Sequence, residues 1–536
     1  MKILLIVPPY RTTDALTAQL YPMPLGLVLI GTKLKQAGHE VTVKDFLLPA
    51  QVMPAQAPAS FAGTHNPPYR HYGMPLKECQ AWLTDHANEY DVIGMNMGQC
   101  NVWETGAALG TYITRVLRMP LVIGGPFVTT APQEALELTN ADVAVIGEGE
   151  NKAEAAFILA RENAPCKVEV RGTPCTEWEI PLPDWSLAPP ANYPTCRGRV
   201  RGVLTVSRGC PNGCTFCSVH TIMGRRCMQY PYERIVLELK NLQLAYGVRY
   251  FSFLDDNLLL SADRANDVLD AVQAVAKPGD RFYMEEGMEV RVAAVPGIVA
   301  RLKALRFDNI AIGMETMNPE QRQLIDKPYN EQHLTAALDN FKQAGVTAKA
   351  FYIIGLPGDT LTSVCKDIVR FGKLGLAARP NNLKLYPGTH MTFMYQQTGW
   401  VAKDYDWRMS SYYTPPSIGL TFEQIRKLKT ILGAVGAMAE AHGIRLLADN
   451  MDDITEAFGK GKGGYKLQLE GGNAILTGNF YRPTPYIHAL GILLMRRGAK
   501  GYAVQDTAKH QLFVASYNVP LDDIQEALGN AIKEAI

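Results

Sequence analysis

The chain lacks an excess of charge of either sign. Its 53 lysines and arginines face 52 aspartates and glutamates, for a formal net charge of +1. Binding along a nucleic-acid backbone requires a basic surplus, so no nucleic-acid partner is expected. A run of about 18 uncharged apolar residues is also missing, and with it any expected transmembrane span. The apolar start, MKILLIVPPYR, breaks at Pro8 and Pro9. That is too early for a signal peptide, and the small-residue cleavage site is absent. Cysteine is sparse, with ten in 536 residues and only three of them close together. This excludes the dense disulfide framework of small secreted domains and points to a reducing cytoplasm. There is no internal repeat and no low-complexity tract. What remains, 47% hydrophobic and 20% charged residues, is an ordinary globular composition over roughly three or four domains' length.

Hydrophobic periodicity divides the chain. KILLIV (2–7) reads as a buried parallel strand, and Leu25, Leu29, Ile30 and Leu34 as one face of a helix that stops at Gly38. Val41 and Val43 start the next strand. DVIGMNMG (91–98), a helix over about 102–117, PLVIGGP (120–126) and ADVAVIGEGE (141–150) continue the alternation. The fold class is therefore α/β, beginning with a doubly wound domain over 1–160 whose ligand side is the carboxyl edge of the strands. Residues 161–200 are rich in proline and turn formers and read as a linker. Six candidate strands follow, at 203–207, 250–255, 281–286, 309–315, 348–355 and 382–387. With helices between them, they predict a complete or partial β/α barrel over 201–395. Residues 396–536 read as a small α+β domain with a helix over 421–442, the stretches GNAILTGNFY (472–481) and AKHQLFVASY (508–517), and an apolar helix near 488–495.

The densest chemistry is SRGCPNGCTFC (207–217), which holds Cys210, Cys214 and Cys217 in C-x3-C-x2-C spacing directly after a strand. Three soft thiolates in one loop suit a metal centre. A structural zinc would take a fourth ligand, which Cys227 or His220 could supply. A [4Fe–4S] cluster held by three cysteines leaves one iron free.

The thiol spacing after the first strand of a β/α barrel closely resembles the radical S-adenosylmethionine (SAM) enzymes, and Phe216 matches the aromatic that the family carries between its second and third cysteines. The resemblance implies a [4Fe–4S] cluster on Cys210, Cys214 and Cys217 whose free iron chelates SAM. It also implies an electron donor such as flavodoxin or ferredoxin. FLDDNLL (253–259) makes Asp255 and Asp256 candidates for the SAM amino group; helix capping is their structural alternative. GMET places Glu315 near SAM, YIIGLPGDT (352–360) places Gly355 near the adenine, and Arg291 is a candidate for the SAM carboxylate.

The first domain resembles the cobalamin-binding module that precedes the barrel in one large radical SAM class. The matching stretches are PLGLVLIGTKLKQAGHEV, MNMG, GGPFVTTAPQEAL and IGEGE. They imply cobalamin contacts from Leu25, Gly98, Gly124, Gly125, Pro126, Gly147, Glu148 and Gly149. Glycines let backbone approach a flat macrocycle closely. The D-x-H-x-x-G cobalt-ligand motif of other cobalamin modules is absent, and GQCNVWE stands in its place. A nucleotide-binding or ligand-free domain is the alternative, although no G-x-G-x-x-G follows the first strand. Cys100 reads as a small buried residue, and Tyr412, Tyr413, Tyr481 and Tyr486 as core aromatics or substrate-side groups.

Together the two resemblances imply a C-methyltransferase. One SAM supplies a methyl group to cobalamin, and a second yields the 5′-deoxyadenosyl radical that abstracts hydrogen from an unactivated carbon. A non-methylating cyclase or oxidative rearrangement enzyme of the same build is the first alternative. A zinc or iron–sulfur scaffold or sensor is the second. The substrate, whether small molecule, lipid, tetrapyrrole or peptide, does not follow from the sequence.

Overall fold

Six short runs near the N-terminus build one parallel sheet. In the computed structural model they are β1 (Lys2–Val7), β2 (Glu40–Asp45), β3 (Val92–Asn96), β4 (Leu121–Gly124), β5 (Val143–Ile146) and β6 (Val168–Arg171). The structure describes residues 1–12, 23–49, 52–54, 70–98, 102–360 and 376–399, isolated positions between 363 and 425, and the backbone of four strands between 466 and 516. Across the sheet the order is β2-β1-β3-β4-β5-β6, and all neighbours are parallel. Ile3 to Val7 are buried without alternation, as a strand covered on both faces requires. The helix Leu25–Gln36 turns Leu25, Val28, Leu29 and Leu34 inward and gives way at Gly38, whose φ of +87° is the left-handed stop expected of glycine. From β1 the chain goes first to one neighbour, β2, and later to the other, β3. Their connections diverge there and open a crevice at the carboxyl ends.

β6 corrects the sequence reading, which put its residues in a linker. It pairs with β5 from Val143↔Val168 to Ile146↔Arg171. As a half-exposed edge strand of four residues, VEVR is too short for its period-two pattern to stand out. The proline-rich segment behind it is ordered, and its Trp185 and Tyr193 are buried in the core shared with the second sheet.

That second unit holds β7 (Arg201–Leu204), β8 (Tyr250–Phe253), β9 (Arg281–Met284), β10 (Ala311–Glu315), β11 (Lys349–Ile354) and β12 (Ala377–Asn382). They pair in parallel as β7-β8-β9 and β10-β11-β12. A parallel bridge from Met288 to Ile312 joins the two groups into a partial barrel. Stacked Phe251 and Phe282, with ring centroids 5.2 Å apart, and Phe253 against Phe307 fill its core. The sixth strand lies at 377–382 instead of 382–387. Leu383 and Leu385 are buried beyond the strand, so the apolar run that marked a strand marks core packing after it.

Toward the C-terminus, β13 (Lys466–Glu470), β14 (Asn473–Gly478), β15 (Gly501–Thr507) and β16 (His510–Ser516) form an antiparallel sheet of order β13-β14-β16-β15. Most of the helix expected over 421–442, the helix near 488–495, Cys100, Tyr412, Tyr413, Tyr481 and Tyr486 lie outside the described residues. Among those described, no helix is long and apolar enough to cross a membrane.

Candidate active site

Beyond β7 the chain enters a short antiparallel ribbon, Ser207–Arg208 against Met228–Gln229. Asp255, just past β8, fastens this exit. Its carboxylate accepts the Val206 N–H at 2.9 Å and the Ser207 hydroxyl at 2.6 Å. Arg264 donates to the carbonyls of Val206 and Tyr230, one on each limb. The ribbon is the neck of the loop that carries Cys210, Cys214 and Cys217. At Gly209, φ is +80° and a Cβ would stand 2.4 Å from the Arg226 carbonyl oxygen. Only glycine lets the two limbs close.

The thiols face a cavity of about 560 Å³. Burial pushes Cys214 up from its ordinary pKa and Cys217 up to about 12, so these two thiols hold their protons until a cation displaces them. The Asn257 amide donates toward the Cys210 sulfur at 3.5 Å. Among the described residues, no three His, Cys, Asp or Glu side chains are placed to share a single metal ion. Glu315 ends β10 with φ +68°, a strained conformation for a residue with a side chain. It pairs with Lys327 at 3.1 Å on the cavity wall. Glu289 accepts the amides of Asn212 and Asn257, each at 2.7 Å, and its other oxygen takes Arg291. Glu286 also borders this space. Its side chain is exposed, yet desolvation by surrounding protein, then the carboxylates of Glu285, Asp256 and Glu315, raise it to about 7.

A second cavity, of about 590 Å³, lies where the carboxyl ends of β1, β3, β4 and β5 meet the exits of β7 and β8. Leu25, Gly98, Gly124, Gly125, Pro126, Gly147, Glu148 and Gly149 all line it. At Gly125 (φ +114°) a Cβ would stand 2.8 Å from the Met97 carbonyl oxygen. At Gly98, Gly124 and Gly147 a Cβ would meet nothing nearer than 3.6 Å and would project into the open space instead. These glycines leave that part of the wall to bare backbone. The two cavities share Gly98, Pro126, Ile222 and Asp256 as walls.

Residues 204–368, which include the thiol loop and β8 to β11, match the model of the radical SAM superfamily. Over 299 residues it is 29% identical to an uncharacterized methyltransferase of Pyrococcus horikoshii, covering 51% of this chain and 62% of that protein. It is 25% identical over 249 residues to the hopanoid C-2 methylase of Rhodopseudomonas palustris, covering 45% of each. The matches thus span less than two thirds of either relative. The solved structure of TsrM from Kitasatospora setae, a radical SAM methyltransferase with tryptophan and a SAM analogue bound, shares the fold. The TM-score is 0.55 at 18% identity, over 74% of this chain and 76% of that one.

In the radical SAM domain, the structure brings Phe216, Asp256 and Glu315 to the thiol cavity with the three cysteines. Asp255 and Gly355 stand away from it. Asp255 is spent on the neck of the loop. Gly355 belongs to a turn in which its N–H donates to Asp359 and its carbonyl accepts from Tyr395. Arg291 is half-exposed on Glu289 and does not line the cavity. Glu148 lines the glycine cavity, but its carboxylate turns to Arg208 and Arg226. Sequence reasoning missed Asn257, Glu286, Glu289 and Lys327. Asn257 was within reach, being the next residue of FLDD. Glu286 and Glu289 follow a strand end with no spacing rule, and only the tertiary fold brings Lys327 to the thiols.

Proposed function

We propose that this chain is a cobalamin-dependent radical SAM C-methylase acting on an unactivated carbon. The shared wall of the two cavities carries the reading: a thiol-lined space and a glycine-cradled space adjoin through Gly98, Pro126, Ile222 and Asp256. Methyl transfer to carbon requires the radical source and the methyl carrier to work within reach of one substrate. The donors fit both groups. Three cysteines on one cavity that neither Cys227 nor His220 lines, with an amide donor on one sulfur, suit a cluster better than zinc. The glycine cradle suits a flat macrocycle. When bound, the cluster supplies the electron that cleaves SAM to the 5′-deoxyadenosyl radical, and cobalamin supplies the methyl group.

The remaining work falls to the chain. Cys210, Cys214 and Cys217 hold the cluster, Asn257 orients the first sulfur, and the Glu315–Lys327 pair sets the charge beside Cys214 and Cys217. Phe216 packs against the core formed by Leu356, Leu385 and Tyr395, which stiffens the loop between two ligands. Asp256 and Glu286 offer acceptors to the cationic SAM. We assign 2–171 to the cobalamin unit, 201–395 to the barrel and 396–536 to the substrate side, with a flavodoxin- or ferredoxin-type protein as electron source. The two relatives described above, a methyltransferase and a hopanoid methylase, support this reading.

Replacement of one thiol tests it. After anaerobic reconstitution with iron, sulfide and hydroxocobalamin, we expect the wild type to retain about four irons and to bind cobalamin. Cys214→Ala should lose the iron and keep its fold by circular dichroism. Iron retained at the wild-type level in the variant would remove the cluster assignment.

A further inference from the structure

The neck of the thiol loop carries an arginine on each limb. Arg208 comes two residues before Cys210, and Arg226 stands on the returning limb beside Cys227. Both reach one carboxylate, Glu148, on the loop after β5. Arg208 lies 3.5 Å from it and also meets Glu150 at 2.5 Å. The backbone of Cys175 completes the knot, its N–H donating to Glu148 at 3.0 Å and its carbonyl accepting from Arg226 at 3.1 Å. Glu148 and Glu150 are only 6% and 8% exposed. Glu148, Glu150 and Arg208 line the glycine cavity, whereas Arg226 does not.

Two arginines thus balance two buried glutamates across the junction of the sheet and the barrel. If the thiol loop loosens, its arginines leave and both carboxylates stay buried without a counter-charge, which is costly. Whatever orders the loop therefore favours the closed wall of the glycine cavity. Linkage requires the converse as well.

We infer that Arg208 and Arg226, acting through Glu148 and Glu150, are positioning residues that make ligand affinity in the glycine cavity depend on metal loading of the thiol loop. The inference rests on the assignment of cobalamin and the cluster to the two cavities. Affinity is read directly, without turnover, by anaerobic equilibrium dialysis of hydroxocobalamin against the full chain, once loaded with iron and sulfide and once stripped. The loaded wild type binds tighter by about fivefold or more. In Arg226→Gln the loaded form falls to the stripped wild-type affinity while the stripped form is unchanged, and Arg226→Lys restores part of the difference. A variant that is merely misfolded loses affinity in both forms. Should Arg226→Gln fail to fold, Glu150→Gln shrinks the same ratio by weakening the Arg208 contact. Wild-type affinity that ignores metal loading overturns the coupling and leaves the cobalamin assignment standing. No binding in either form overturns both.

Discussion

Glu286 sits just beyond β9 with its carboxylate open to the thiol cavity, and no cation pairs with it among the described residues. Protein walls and three neighbouring carboxylates raise it from 4.5 to about 7. An acid raised in this way binds more protons folded than unfolded between those two values. Stability therefore falls as pH rises through that window. Glu286→Gln removes the loss, so we expect its melting temperature to match the wild type near pH 4.5 and to exceed it at pH 8. An advantage that does not grow with pH would show that the carboxylate carries no penalty. Under the proposed function such a group has a use: SAM in this cavity would bring, in its sulfonium and ammonium, the positive charge that the protein withholds from Glu286. The same scale shows what a sequence can carry. Cys210, Cys214 and Cys217 were legible because three thiols within eight residues have few uses. That the eight cobalamin candidates line one cavity was legible because they lie at strand ends, where the fold places its ligand side. Asp255 was misjudged, since a carboxylate at a strand end serves a backbone N–H as readily as a ligand, and spacing cannot tell the two apart.

At the scale of elements, the glycines separate packing from cradle. Gly172, just after β6, has no room for a side chain. A Cβ there would stand 1.8 Å from the carbonyl oxygen of Glu148. Gly172→Ala must push β6 or the Glu148 loop aside, at a cost of about 1–3 kcal/mol in urea unfolding. A loss under about 0.5 kcal/mol would mean that the edge strand moves freely and does not hold the loop. Here the sequence was least informative. β6 is short, polar and at an edge, and its importance lies in what it presses against. β12 was displaced for the converse reason: Leu383 and Leu385 look like strand residues but bury their side chains after the pairing has ended. Periodicity reports burial, and only backbone pairing decides which buried residues form a strand.

For the whole molecule, the decisive feature is that two cavities built by different sheets share a wall. Neither sheet alone contains it. β1 and β3 to β5 supply the cradle, β7 and β8 supply the thiol loop and Asp256, and the buried ion pairs of Arg208 and Arg226 hold one against the other. The alternation of strands and helices made both halves legible, because each obeys the rules of parallel sheets. Their juxtaposition was not, because the residues that create it are charged, scattered and separated by some sixty positions. The measurement that bears most directly on the proposed chemistry is the joint yield of two products. The reconstituted chain is given SAM and a strong reductant without oxygen, and S-adenosylhomocysteine and 5′-deoxyadenosine are quantified together by mass spectrometry. We expect both, with the second abolished in Cys214→Ala. Deoxyadenosine alone, from protein shown to hold cobalamin, would contradict methylation and favour a non-methylating radical reaction. Neither product, from protein shown to hold its cluster, would contradict SAM cleavage itself.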